Sequence, residues 1–99
     1  MHDEISWHVE LAIRPEQFDQ FRSLTNEMIE STKLEHGVLV YERFFDEESS
    51  KIIVYERYAN SQAAISHLRI FREKFEEAFA HLVKRECFLV FGAPSDELR

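Results

Sequence analysis

The sequence predicts an α+β domain of β-α-β-β-α-β order, with four strands in one antiparallel sheet and both helices on one face of it. Three observations predict this. Ile5 to Ile13 strictly alternates large apolar residues with smaller or polar ones. Two longer stretches repeat apolar residues at helical spacing. A polar turn, Asp46-Glu47-Glu48-Ser49-Ser50, joins two β-rich runs.

The first strand places Ile5, Trp7, Val9, Leu11 and Ile13 on one face and Ser6, His8, Glu10 and Ala12 on the other, the pattern of a half-buried strand. Arg14-Pro15-Glu16 then supplies a proline at a helix start and an acidic first turn. Phe18, Phe21, Leu24 or Thr25, and Met28 continue at helical spacing to about Leu34, with Phe18 and Phe21 as core residues. Glu35-His36-Gly37 ends that helix, because glycine readily takes positive φ, and Val38 to Phe45 follows as the second strand. Lys51 to Tyr58 pairs with it as an antiparallel hairpin. Asn60 and Ser61 offer capping oxygens ahead of Gln62-Ala63-Ala64-Ile65, and the helical pattern runs through Phe71, Phe75, Ala78, Phe79 and Leu82, with a break expected near 69–71. Glu86 to Phe91 is the fourth strand, and Gly92-Ala93-Pro94 closes the domain before a polar tail from about residue 93. With no repeat or linker, residues 1–99 read as a single domain. This order is that of the ferredoxin-like split βαβ arrangement.

A chain of 99 residues that is 44% hydrophobic can bury a core without metal or disulfide support. Nine Phe, three Tyr and one Trp exceed what such a core needs, so part of that surface is expected at a cavity or an interface. The net charge of -7 repels phosphate backbones and anionic lipid, and Lys84-Arg85 is the only adjacent basic pair, so nucleic acid is not an expected partner. Cys87 is the only cysteine and reads as a buried thiol; with an acidic, signal-free start at Met1-His2-Asp3-Glu4 it points to the cytoplasm. No apolar run approaches the roughly 20 residues of a membrane span. Strands two to four carry apolar residues on both faces, as in Ile52-Ile53-Val54-Tyr55 and Cys87-Phe88-Leu89-Val90-Phe91. A second copy of the chain is the economical cover for the sheet face that the helices leave open.

Glu35-His36-Gly37-Val38-Leu39-Val40-Tyr41-Glu42, then Val54-Tyr55-Glu56-Arg57-Tyr58, then Ala63-Ala64 and His67, form an ordered set that resembles the antibiotic biosynthesis monooxygenase superfamily over nearly the whole chain. The resemblance implies a dimeric α+β barrel in which two sheets pack together, each subunit keeping an apolar pocket between its sheet and helices. For the enzymes of the group it implies oxygenation of a small quinol or polycyclic phenol with molecular oxygen and no flavin, haem or metal. Other members degrade haem or isomerise a signal molecule, so a non-catalytic ligand-binding or stress-response dimer and an isomerase stand beside the oxygenase as readings. The position at which haem-degrading relatives carry their iron-ligating histidine falls near Glu77, with His81 close by.

His67 is the leading catalytic candidate, because an imidazole can take a proton from a phenol near neutral pH; the competing reading is a helix histidine that sets packing. Glu56 shares a strand face with Ile52, Val54 and Tyr58, so its carboxylate needs a partner there. It orients His67 or raises its basicity, or else it caps a helix or pairs with Arg57 or Arg69 as scaffold. Tyr58 joins these two as a catalytic candidate, its aromatic body with a polar handle suiting a planar substrate held by stacking and one hydrogen bond. Trp7, Tyr41, Phe71 and Phe75 are the candidates for holding a planar substrate, with Trp7 and Phe75 foremost. The five histidines show no close ligand spacing and one cysteine cannot build a zinc site, so no metal is expected. Gly37 and Gly92 are the only glycines, which leaves no phosphate-cradling loop for a nucleotide cofactor.

Overall fold

Strict alternation makes β1 (Ile5–Ile13) a strand that buries every odd-numbered residue and half-buries every even one. The structure is a computed structural model that describes residues 3–92; the expected polar tail and the first two residues lie outside them. Three further strands, β2 (Val38–Asp46), β3 (Lys51–Tyr58) and β4 (Val83–Phe91), complete an antiparallel sheet in the order β2-β3-β1-β4. Pro15–Gln17 forms one 3-10 turn that leads into α1 (Phe18–Thr32), and α2 (Ser61–Lys74) and α3 (Glu76–Leu82) follow the hairpin. This is the ferredoxin-like α+β architecture that the element order predicts.

Three boundaries differ from expectation. α1 stops at Thr32, two residues early, where the Lys33 amide still bonds the Ile29 carbonyl and 33–36 turn toward Gly37. The second helix breaks at Phe75 rather than near 69–71. Its amide still donates to the Phe71 carbonyl, but φ of −127° ends the helix there. The break lets α3 bring Phe79 against Phe71 (ring centroids 5.1 Å) and Phe21 (5.8 Å). The fourth strand begins at Val83 instead of Glu86, because Val83 pairs with Ile13. A register shift opposite Glu10 and Leu11 leaves Glu86 as the extra residue.

The core lies between the helices and the face of the sheet that carries Ile5, Leu11, Ile52 and Tyr58, all essentially inaccessible, with Phe18 and Phe21 packed from α1. The other face carries Phe44 opposite Ile53, Leu89 opposite His8, and Phe91 opposite Ser6. Phe44, Leu89 and Phe91 are each half exposed or more.

The chain enters β2 pressed against the start of α2. Gly37 has φ of +88°, and a Cβ there would stand 2.7 Å from the Ala63 Cβ. Only glycine at 37 opposite a small residue at 63 lets the loop after α1 lie this close to α2.

Candidate active site

Asn60 caps α2 by accepting the Ala63 amide at 2.9 Å, which fixes where the helix begins. His67 follows one turn after Ala63 on the same side of the helix. The close approach of Gly37 to Ala63 carries Glu35 up to that side. His67 Nδ1 lies 3.1 Å from Glu35 Oε1 and 3.2 Å from Oε2, with both side chains almost wholly buried. A carboxylate accepts only, so Nδ1 is the protonated nitrogen of this contact and Nε2 faces the other way. There it lies 3.7 Å from Glu56 Oε1.

Strand register supplies the rest. Glu56 on β3 stands between Trp7 on β1 and Tyr41 on β2, all on the helix-facing side of the sheet. Glu56 Oε1 accepts from Trp7 Nε1 at 2.8 Å and from the Tyr58 hydroxyl at 2.5 Å, while Oε2 accepts from the Arg43 guanidinium. Arg43 also lies over the Tyr41 ring, 3.5 Å from its centroid. The rings of Tyr41 and Tyr58 flank the imidazole, with centroids 5.4 Å and 5.3 Å from it.

Burial alone pushes the Glu56 carboxyl up, but Arg43, His67 and the hydrogen bonds from Tyr58 and Arg43 outweigh it and hold the group below the ordinary carboxylate range. Burial, and then the Glu56 charge beside it, push the Tyr58 hydroxyl far above its ordinary value. The Tyr58 hydroxyl is engaged as a donor to Glu56 Oε1. Burial raises Tyr41 to about 12. Its hydroxyl is buried without a hydrogen bond of ordinary geometry, the contact with Thr32 falling short of one.

His67, Glu56 and Arg43 form part of the wall of a cavity of about 290 Å³ between sheet and helices, whose lining is otherwise mostly apolar, with Trp7, Met28, Phe71, Phe79 and Phe88, and includes Arg72 and Arg85. That is the mixture expected of a small-molecule site, a largely apolar hollow with few polar groups. A larger groove of about 670 Å³ runs past Pro15, Ser50, His81 and Lys84, but none of its lining residues belongs to the buried acid–base cluster. Among the described residues no cluster of His, Cys, Asp or Glu could hold a metal ion. Among the same residues no helix is long and apolar enough to cross a membrane.

The structure thus brings together Trp7, Glu56, Tyr58, His67 and Phe71 as candidates of the sequence. Tyr41 touches His67 but opens onto a separate groove of about 220 Å³ that also includes Glu35. Phe75 does not line the cavity. As the hinge between α2 and α3 it yields that place to Phe79. Arg43 takes the role expected of Arg57 or Arg69; Arg57 lies on the opposite face of the sheet and pairs with Glu4. Glu35 and Arg43 are the functional candidates missed from the sequence. The signal for Arg43 was a charge alternating with Tyr41 and Phe45 on an apolar strand face. The signal for Glu35 was its place just before the glycine of the second strand.

Residues 5–69 match the family described as antibiotic biosynthesis monooxygenase, a span that holds Glu35, Arg43, Glu56 and His67. A search of curated proteins finds no match. Among solved structures, MupZ from Pseudomonas fluorescens is 26% identical and superposes with a TM-score of 0.83 over 93% of this chain and 70% of its own. A conserved protein from Methanosarcina mazei Go1 is 20% identical, with a TM-score of 0.77 over 89% of this chain and 90% of its own. SnoaB from Streptomyces nogalater, a cofactor-independent oxygenase whose structure is that of an N63A mutant, shares the fold at 14% identity, with a TM-score of 0.75 over 94% of this chain and 95% of its own. With the family match covering most of its length, the chain belongs to the antibiotic biosynthesis monooxygenase family.

Proposed function

We propose that the protein is a cofactor-independent monooxygenase that oxidises a small quinol or polycyclic phenol with molecular oxygen, using His67 as proton acceptor. The observation that carries this reading is the double engagement of the imidazole. Nδ1 is held by the buried Glu35, and Nε2 is left on the Glu56 side, where the cavity lies. Glu35 fixes the tautomer and ring orientation, so it is a positioning residue for His67. Glu56, saturated by three donors, serves as a fixed negative charge beside Nε2 that stabilises the imidazolium formed when His67 takes a proton.

In this mechanism the substrate hydroxyl gives its proton to His67 Nε2, and the resulting anion is electron-rich enough to reduce oxygen directly. One oxygen atom enters the substrate and the other leaves as water. The phenolic O–H and one ring C–H break, so that HO–Ar–H and O2 give the quinone O=Ar=O and H2O, and the substrate supplies all four electrons. Trp7, Phe71, Phe79 and Phe88 hold the flat ring and keep water from the anion. Family membership and the likeness to SnoaB support the reading, and family membership together with the exposed apolar sheet face that carries Phe44, Leu89 and Phe91 supports a homodimer closed through that face.

The test is oxygen uptake with a panel of hydroquinones and anthrone-like phenols, comparing the natural chain with His67→Ala after both are shown to be folded. Uptake that falls about 100-fold or more in the variant supports the base assignment. Equal uptake returns His67 to a packing role, and no uptake by either protein shifts the function to ligand binding or isomerisation. The purified protein is expected to show no flavin or haem absorbance.

A further inference from the structure

The cavity has a second polar feature that the proposed proton transfer does not use. Arg72 on α2 and Arg85 on β4 both line it, and both are exposed. They approach it from different walls, one from the helix layer and one from the sheet. Among the described residues neither is paired with a carboxylate, although the chain has 19 acidic residues against 12 basic ones. Glu86, the acid adjacent to Arg85, faces Lys51 at 3.9 Å. The one carboxylate in the cavity wall, Glu56, is already taken by Arg43, Trp7 and Tyr58. The cavity therefore carries two guanidinium charges beyond those it neutralises itself.

Position along the sheet separates these charges from His67. Glu56, beside Nε2, pairs with Trp7, whereas Arg85 pairs with Leu11, four residues further along β1 and about 13 Å away at the usual strand rise. The Arg85 guanidinium folds part of the way back, over the Phe88 ring at 5.1 Å, and Phe88 in turn lies 5.9 Å from Trp7. That stacking holds the charge beside the apolar hollow instead of letting it swing freely into solvent.

We propose that the site takes an aromatic substrate carrying a carboxylate, with its phenolic hydroxyl at His67, its ring against Trp7 and Phe88, and its carboxylate received by Arg72 and Arg85. This deepens the oxygenase reading and rests on it for the placement of the hydroxyl. A guanidinium fork matches a carboxylate in geometry and charge, and such pairs are among the stronger hydrogen bonds available to a protein. A neutral phenol of the same shape would fill the hollow and leave both arginines as they are.

Calorimetric titration with 6-hydroxy-2-naphthoate and with 2-naphthol separates the two readings, because the probes share ring and hydroxyl and differ in the carboxylate. The expected result is binding of the naphthoate about tenfold tighter than of naphthol at low salt, with the difference shrinking as salt is added. The double variant R72Q/R85Q, changed only at exposed positions, should lose that difference and bind 2-naphthol as the natural chain does. Equal affinities in the natural chain, a preference that survives in the double variant, or no binding of either probe overturns the proposal. The titration involves no turnover, so a preference for the naphthoate without oxygen uptake would keep this assignment and remove the oxygenase reading. Oxygen uptake without the preference would do the reverse.

Discussion

The carboxylate of Glu35 and the imidazole of His67 meet at 3.1 Å although 32 positions separate them in the chain. The contact exists because two small residues, Gly37 and Ala63, let the loop after α1 rest on α2. The loop glycine and the helix alanine are thus parts of one device for orienting a histidine.

Replacing Glu35 tests that device. Glu35→Gln keeps the size and one acceptor oxygen but removes the charge that supports a proton on the imidazole. Oxygen uptake should fall about tenfold, less than for His67→Ala, with KM little changed because Glu35 opens onto a different groove. Initial rates across substrate concentrations provide the check. A loss confined to KM would mean that Glu35 shapes the cavity and does not act through His67.

Gly37→Val should destabilise the fold and the site together. The new side chain meets positive φ and an Ala63 methyl at a distance that real contacts essentially never show. A cost of about 2 kcal/mol or more is expected, seen as a lower Tm and a lower urea midpoint. Unchanged thermal stability would contradict the close-approach account.

Much of this arrangement was legible in the sequence, and the exceptions share a cause. Period-two alternation from Ile5 to Ile13 and the turn before Lys51 are local signals, so β1 and the hairpin emerge directly. Asn60 as the cap of α2 and the buried face holding Glu56 are local too. The Arg43–Glu56 pair is not local. It depends on β2 and β3 sharing a face in one register, in which Arg43 lies opposite Val54 and next to Glu56. The Glu35–His67 contact depends on a helix-to-loop distance that no spacing encodes. The helix break moved to Phe75 because tertiary packing of Phe79 on Phe71 and Phe21 decides it, while propensity along 69–76 offers no proline or glycine to mark the place.

The exposed sheet face predicts its own occupant. Leu89→Glu or Phe44→Glu puts a charge at a half-exposed apolar position without touching the cavity. If two copies pack these faces together, either variant should shift sedimentation from dimer toward monomer while the far-ultraviolet circular dichroism is retained. A natural chain that sediments as a monomer at micromolar concentration would remove the dimer from the proposal.

Glu56 makes the fold sensitive to acid in a defined direction. Its carboxyl is held below the ordinary value in the folded chain, so it binds a proton more readily when unfolded. Its contribution to stability is then fully present above the ordinary glutamate pKa of about 4.3 and drains away as pH falls below that value toward the lower folded one. Glu56→Gln should remove that part of the acid limb. It should also cost about 3 kcal/mol at pH 7, because Arg43 is left buried without its counter-charge and Trp7 and Tyr58 lose a charged acceptor. Urea unfolding of the two proteins between pH 3 and pH 7 provides the comparison, with the stability gap expected to be widest at neutral pH and to narrow in acid. A gap that stays constant across that range would mean that Glu56 is not the group whose ionisation the folded state favours, and the acid sensitivity would then belong to another carboxylate.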